Sequence, residues 1–155
     1  MEQKIGQQLH LLNRLYKESD EIYRGIANRF GLTDTSFWIL YAITHTDVPC
    51  IQNDLCKDWF YPVQTINSAV SNLQKKGLVR LEIIPGTRNR KRILLTEEGE
   101  LFTKRIISKI DEIEKSAFLK FTEEERESYI SLYQRHLNNM KTESDKVLSV
   151  IDNLQ

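Results

Sequence analysis

The chain of 155 residues has few of the residues that break or cross-link structure: 3 prolines, 6 glycines and 2 cysteines. So little proline and glycine excludes a collagen-like or Pro/Gly-rich disordered chain, and two cysteines are too few for a disulfide scaffold. The longest apolar run begins at Phe37 and lasts only a few residues, which excludes a membrane-spanning helix. The N-terminal residues carry no apolar signal core, so we expect a cytoplasmic protein.

The formal net charge is zero, with 22 basic and 22 acidic side chains, but the charges are distributed unevenly. Residues 62–96 contain seven basic side chains and a single acidic one, Glu82, and no Asp or Glu lies between Trp59 and Leu81. Such a basic island is typical of a nucleic-acid contact surface. A solvated basic face has the same composition, so charge alone does not decide between the two.

Apolar residues at helical spacing predict three helices before the basic island. The first covers about residues 5–29 with a break near residues 18–20, and the second runs from Asp34 to about Thr44 with Thr33 or Asp34 as its N-cap. Asp47, Val48 and Pro49 break the pattern, and a short third helix follows over about residues 51–58.

The fourth predicted helix begins at Pro62, because proline suits a first helical turn, and ends at Gly77. Its apolar residues form one narrow stripe: Val63, Ile66, Val70 and Leu73. The remaining positions are short, polar and either uncharged or basic. From these residues we predict DNA contacts by Gln64, Thr65, Asn67, Ser68, Ser71, Asn72 and Lys75.

A β-hairpin follows, because alternating apolar residues in 78–84 and 92–95 flank a turn at Pro85-Gly86. Its tip is cationic, and we predict DNA contacts there by Arg88, Arg90 and Lys91. Thr96 then caps a fifth helix, with a stripe from Leu101 to Phe121, and Thr122 opens a last helix with a capping box and continues to Leu154.

This order of elements predicts a mainly α (α+β) fold, a winged helix-turn-helix with long N- and C-terminal helices. A recognition helix must be apolar on one side and must offer small hydrogen-bonding groups to a major groove roughly 12 Å wide on the other. The fourth helix has both properties and carries no carboxylate. The hairpin is placed to reach the DNA backbone or an adjacent minor groove.

Three stretches carry a resemblance to the MarR-type bacterial transcription regulators: residues 32–40, the run Leu73-Gln74-Lys75-Lys76-Gly77-Leu78-Val79, and Leu95-Thr96-Glu97-Glu98-Gly99. The resemblance implies a homodimer on a pseudo-palindromic operator, tuned by a small aromatic or phenolic ligand or, in some branches, by cysteine oxidation. Family wings usually carry an acidic residue before the key arginine. Thr87 stands at that place, which leaves open whether Arg88 or Arg90 enters the groove.

We therefore predict a sequence-specific regulator of transcription, a repressor, that binds double-stranded DNA as a homodimer on an inverted repeat. Residues 1–31 and 101–155 are predicted to form a helical dimerisation region, since their apolar stripes exceed what one small domain can cover. Residues 32–100 form the predicted winged helix-turn-helix DNA-binding domain. The alternative is a winged-helix protein-interaction module that does not bind DNA.

Other residue groups allow two interpretations each. Five aromatic residues could line a pocket for a phenolic effector or form a packed core: Tyr16, Tyr23, Phe37, Trp38 and Tyr41. Cys50 and Cys56 could sense oxidants, but structural thiols are the simpler interpretation. The three histidines lie on different predicted helices without metal-ligand spacing, and no catalytic grouping is present. We therefore expect no metal, no cofactor and no enzymatic activity.

Overall fold

The computed structural model describes residues 2–46 and 49–152. These residues form six helices and one two-stranded antiparallel sheet, as the sequence predicts. The elements are α1 (Glu2–Arg29), α2 (Asp34–Thr44), α3 (Gln52–Asp58), α4 (Val63–Lys75), β1 (Val79–Ile83), β2 (Lys91–Leu95), α5 (Glu97–Phe118) and α6 (Glu123–Asp152). Among the described residues, no helix combines the length and hydropathy that crossing a membrane requires.

The chain divides into two compact units, one ending at Lys109 and the other beginning at Ile110. In the first unit, α4 packs against α2 and α3, and the two strands form a hairpin after α4. Its core consists of fully buried apolar side chains from α2, α4, β2 and the start of α5: Phe37, Ile39, Leu40, Ile66, Val70, Leu73, Ile93 and Ile106. One side of α4 is therefore packed into this core.

Local signals account for the ends of the helices around the hairpin. Thr33 caps α2, its Oγ1 accepting a hydrogen bond from the backbone N–H of Ser36 at 3.2 Å. Helix α4 ends at Lys75, and Gly77 follows its C-cap with a φ of 72°, a conformation that favours glycine. The backbone N–H of Leu78 then bonds the carbonyl of Leu73 at 3.0 Å, which satisfies an end carbonyl of α4.

The hairpin pairs Val79 with Leu95 and Leu81 with Ile93. A third backbone segment joins it, because Ile51 forms a bridge with Arg92 and the N–H of Ile93 bonds the carbonyl of Cys50 at 2.8 Å. Local sequence does not predict this pairing, since two residues are too few for a strand pattern. It attaches the start of α3 directly to the wing.

Four details of the sequence prediction are wrong. Helix α1 runs without a break through residues 18–20. These three residues are polar and exposed, and none of them is a proline or a glycine, which would stop the helix. Val63 is 57% exposed, since it begins α4 and Ala69 completes the buried stripe instead. Leu101 is exposed because the buried face of α5 is formed by Thr103, Ile106 and Ile107, and α5 ends at Phe118 rather than Phe121.

The second unit contains the end of α5 and α6. Its capping box is formed as predicted: the N–H of Thr122 bonds the Glu125 carboxylate at 2.8 Å, and the N–H of Glu125 bonds Thr122 Oγ1 at 3.2 Å. Phe118, Phe121 and Tyr129 are in mutual ring contact with centroids 6.1–6.4 Å apart. The predicted break at Asp47 and Val48 and the predicted role of Leu154 lie outside the described residues.

Candidate nucleic-acid interface

The outer face of α4 is polar and open to solvent. Six of the seven α4 residues predicted to contact DNA are exposed, namely Gln64, Asn67, Ser68, Ser71, Asn72 and Lys75, and Thr65 is half-buried. The opposite side is buried by Ile66, Ala69, Val70 and Leu73. Since α4 contains no Asp or Glu, this face offers only neutral amides, hydroxyls and one cation.

A polar groove lies along one edge of this face, between α4 and the N-terminus of α2. Hydroxyl and amide side chains from both helices line it: Thr33, Thr35, Gln64, Thr65, Ser68 and Asn72, together with Ala69. Thr33 is one of the two predicted N-cap residues of α2, but its proximity to α4 is a tertiary contact that local sequence does not indicate. The groove widens the neutral hydrogen-bonding surface beyond α4 itself.

Helix α3 contacts the other edge of the face through a side-chain hydrogen bond. Gln52 Nε2 donates to Asn67 Oδ1 at 2.6 Å. Gln52 is the first residue of α3, directly after the Ile51 that pairs with the wing. One of the predicted recognition residues is therefore held by a residue fifteen positions earlier in the chain.

The cations of the wing differ in whether they form an ion pair with a described residue. Arg90 Nη2 lies 3.0 Å from Asp54 Oδ2 of α3, and Arg92 lies 2.8 Å from Glu82, which is also 3.7 Å from Arg80. Arg88 and Lys91 are exposed and have no ion pair with any described residue. Thr87 Oγ1 donates to the carbonyl of Ile84 at 2.8 Å, so it closes the turn, and the carboxylate next to Arg90 comes from α3.

The turn between α3 and α4 is tied to α2. Tyr61 donates its hydroxyl hydrogen bond to Asp34 Oδ2 at 3.2 Å. Burial, and then the neighbouring Asp34 carboxylate, raise the pKa of Tyr61 to about 12. Phe60 precedes it with a φ of 55° and is 85% exposed, a conformation that bulky residues rarely adopt.

Four of the five residues of the predicted effector pocket pack against one another. Trp38 contacts Tyr23, Phe37 and Tyr41 with ring centroids 5.0–5.3 Å apart. The fifth, Tyr16, is half-buried on α1. Trp59, just after α3, also contacts Trp38, with ring centroids 5.4 Å apart. The sequence did not predict that this residue joins the aromatic cluster.

A cavity of about 400 Å³ lies beside this cluster, between the end of α2 and α3. Trp59 and His45 form its aromatic walls, and His45 stacks on Tyr41 at 3.9 Å. Cys50 also lines it and is buried, whereas Cys56 is half-buried and donates a weak hydrogen bond to the carbonyl of Gln52 at 3.5 Å. Both cysteines are thiols.

The fold and this surface define the class: a helix held by one apolar side, an exposed polar face and a cationic hairpin make a winged helix-turn-helix protein. Residues 30–88 match the model of the MarR family. The winged-helix segment of this chain is therefore similar to the MarR family, the family that its motifs predict. No curated protein matches the sequence.

Solved structures share the fold over most of the chain. Staphylococcus aureus MepR in complex with DNA has a TM-score of 0.70 at 23% identity, with 84% of this chain and 96% of MepR covered. MepR in its DNA-binding conformation has a TM-score of 0.74 at 23% identity, covering 86% and 98%. A probable transcriptional regulator from Pseudomonas aeruginosa has a TM-score of 0.63 at 24% identity, covering 79% and 94%.

Proposed function

We propose that this protein is a transcription regulator that binds double-stranded DNA with the outer face of α4 in the major groove and the wing on the backbone. The observation that carries the proposal is the exposed face of α4, which contains hydrogen-bonding groups and a lysine but no carboxylate. Amides can pair with base edges, and lysine can neutralise a phosphate. The fold is shared with MepR, which has been captured on DNA.

In the wing, we assign phosphate contacts to Arg88 and Lys91, because both are exposed and have no ion pair among the described residues. Arg90 is held beside α3 by Asp54, so it lies on the side of the wing that adjoins the helix-turn-helix. We therefore assign it to the groove edge next to α4 and not to the outer backbone.

We also propose a homodimer on an inverted-repeat operator. Each unit exposes apolar side chains along a long helix, including Ile5, Leu9 and Leu15 on α1 and Leu132, Val147 and Ile151 on α6. Exposed apolar stripes of this length favour pairing with a second copy under twofold symmetry. The terminal regions 1–31 and 101–155 are the proposed dimerisation region, with 32–100 as the DNA-binding domain. Light scattering at micromolar concentration should give twice the mass of 18.3 kDa, and a monomer would contradict the dimer.

The regulator we propose is a repressor that acts on bacterial DNA in the cytoplasm, and the proposal assigns no catalytic role to the chain. We propose that a small aromatic effector binds in the cavity between α2 and α3, because Trp59 and His45 form aromatic walls there. The rings around Trp38 pack against one another instead. Salicylate should raise the melting temperature of the wild type but not of Trp59→Ala. Equal shifts in both proteins would contradict this site.

Selection from a random library of duplex DNA tests the central function. We expect an inverted repeat with half-sites about 34 Å apart, one turn of DNA. Lys75→Ala should weaken binding to all sequences alike, whereas Gln64→Ala should relax the preference at particular bases. Lys120→Ala removes an exposed lysine outside the winged helix and serves as the control. Equal losses on every sequence for Lys75→Ala and Gln64→Ala would contradict the assigned roles.

A further inference from the structure

We propose that Gln52 of α3 determines which bases Asn67 of α4 reads, by fixing the orientation of the Asn67 side-chain amide. The proposal rests on the proposed DNA-binding function. Its basis is the hydrogen bond in which Gln52 Nε2 donates to Asn67 Oδ1 at 2.6 Å. Gln52 is a positioning residue here, because it acts through Asn67.

The hydrogen bond removes one of the two ways in which Asn67 can face a base. A side-chain amide accepts hydrogen bonds at its oxygen and donates them from its nitrogen, and the two atoms point to opposite sides. With Oδ1 turned toward α3, the amide nitrogen points away from Gln52. Asn67 is exposed, so this nitrogen is the group offered to a ligand.

A donor alone selects bases that present acceptors. In the major groove, guanine presents N7 and O6, adenine presents N7 and thymine presents O4 as acceptors, whereas cytosine presents only the N4 donor. Adenine is also compatible with this orientation, because it presents the N7 acceptor and because Oδ1 keeps a second lone pair for the N6 donor. The geometry thus disfavours cytosine at the base that Asn67 reads.

Gln52 can impose this orientation because its own backbone is fixed. The preceding residue, Ile51, pairs with Arg92 of the wing, and the carbonyl of Cys50 accepts the N–H of Ile93 at 2.8 Å. The carbonyl of Ile51 also accepts the first helical bonds of α3, from Asp54 at 3.0 Å and Leu55 at 3.1 Å. The wing therefore anchors the residue that orients Asn67.

Exchanging the donor on Gln52 for an acceptor tests the inference. In Gln52→Glu the carboxylate can only accept, so the contact persists only if the Asn67 amide turns and directs its oxygen outward. Selection from a random duplex library should then show cytosine accepted, and guanine and thymine disfavoured, at one position of each half-site. We expect a discrimination of roughly 2- to 13-fold there, the range for a single hydrogen bond. Gln52→Ala should relax the preference at the same position without replacing it.

Two controls separate this role from a general charge effect. Gln74→Glu adds the same charge at an exposed position of α4 and should lower affinity for all sequences without changing the preferred bases. In an Asn67→Ala background, Gln52→Glu should cause no further change of preference. Thermal unfolding checks that each variant is folded, and an acidic residue in the first turn of α3 is compatible with the helix dipole.

The possible results are distinguishable. If the wild type selects a motif and Gln52→Glu selects the same bases at every position, the inference about Gln52 is overturned while the proposed function stands. If Gln52→Glu changes the preference equally with and without Asn67, Gln52 contacts DNA by itself and the inference is also overturned. If the wild type enriches no sequence, the proposed function fails, and the inference fails with it.

Discussion

Gly99 is the position where the structure leaves least room for a side chain. It is the third residue of α5, and a Cβ built there would lie 1.8 Å from the carbonyl oxygen of Leu78 and 2.8 Å from its carbonyl carbon. Ordinary contacts of this kind are 3.4 Å or longer. Gly99→Ala therefore requires the start of α5 and the backbone at Leu78, just before β1, to move apart by about 1.5 Å, a shift that close-packed interiors resist.

The displaced carbonyl takes part in the hydrogen bonds that join these elements. Leu78 O accepts from the N–H of Thr96 at 3.1 Å, and Thr96 Oγ1 donates to the carbonyl of Gly77 at 2.6 Å. Overpacking costs about 1–3 kcal/mol, and each lost hydrogen bond about 1 kcal/mol. Alanine returns about 1 kcal/mol as the better helix former. We expect Gly99→Ala to lower the free energy of unfolding by about 2–4 kcal/mol.

Urea unfolding followed by circular dichroism, at one fixed protein concentration, measures this loss. The matched control is Gly25→Ala on α1, where no atom lies within 4 Å of an added Cβ. This variant should gain about 0.5–1 kcal/mol from helix propensity alone. If Gly99→Ala is as stable as Gly25→Ala, the close approach of α5 to Leu78 is wrong.

Three further substitutions test the surroundings of α4. Thr103 Oγ1 is buried without a hydrogen-bond partner among the described residues, so Thr103→Val should raise the free energy of unfolding by about 1 kcal/mol; a loss would show that the hydroxyl is satisfied. Phe60→Gly should relieve the backbone strain of a φ of 55° and raise the free energy of unfolding by up to about 1 kcal/mol. Phe60→Ala should not raise it, and equal gains for the two variants would refute the strain. Because the folded protein holds the Tyr61 proton more tightly, with a pKa raised from 10.0 to about 12, this contribution to stability is complete below pH 10 and is lost as the pH rises toward 12. Tyr61→Phe should flatten the alkaline decline of the unfolding free energy, and an unchanged decline would contradict the shift.

The local elements were predictable because their signals lie within a few residues of one another. Asp34 to Thr44 is a helix as predicted, Thr33 is its cap out of the two candidates Thr33 and Asp34, and the capping box at Thr122 is formed. The fourth helix and the hairpin follow from the change of apolar spacing between residues 66–73 and 78–84. The MarR resemblance rests on the same stretches, because they combine helix end, turn and strand in a fixed order.

The contacts that shape the candidate site were not predictable, because they join residues far apart in the chain. Nothing near Asn67 indicates that Gln52 bonds it, and nothing near Arg90 indicates Asp54. Both contacts depend on how α3 lies against α4 and the wing. The exposure of Val63 was missed for a related reason, since periodicity gives the direction of a side chain and not whether a neighbouring element reaches it.

The salt dependence of binding to duplex DNA tests the central claim most directly. If each subunit of a dimer neutralises phosphates with Lys75, Arg88 and Lys91, six counterions are released. The logarithm of the association constant should then fall with the logarithm of the salt concentration with a slope of about −5. The triple alanine variant of these residues should bring the slope close to zero. Absence of duplex binding by the wild type, or a flat slope, would contradict the account and favour a winged-helix module that binds protein instead.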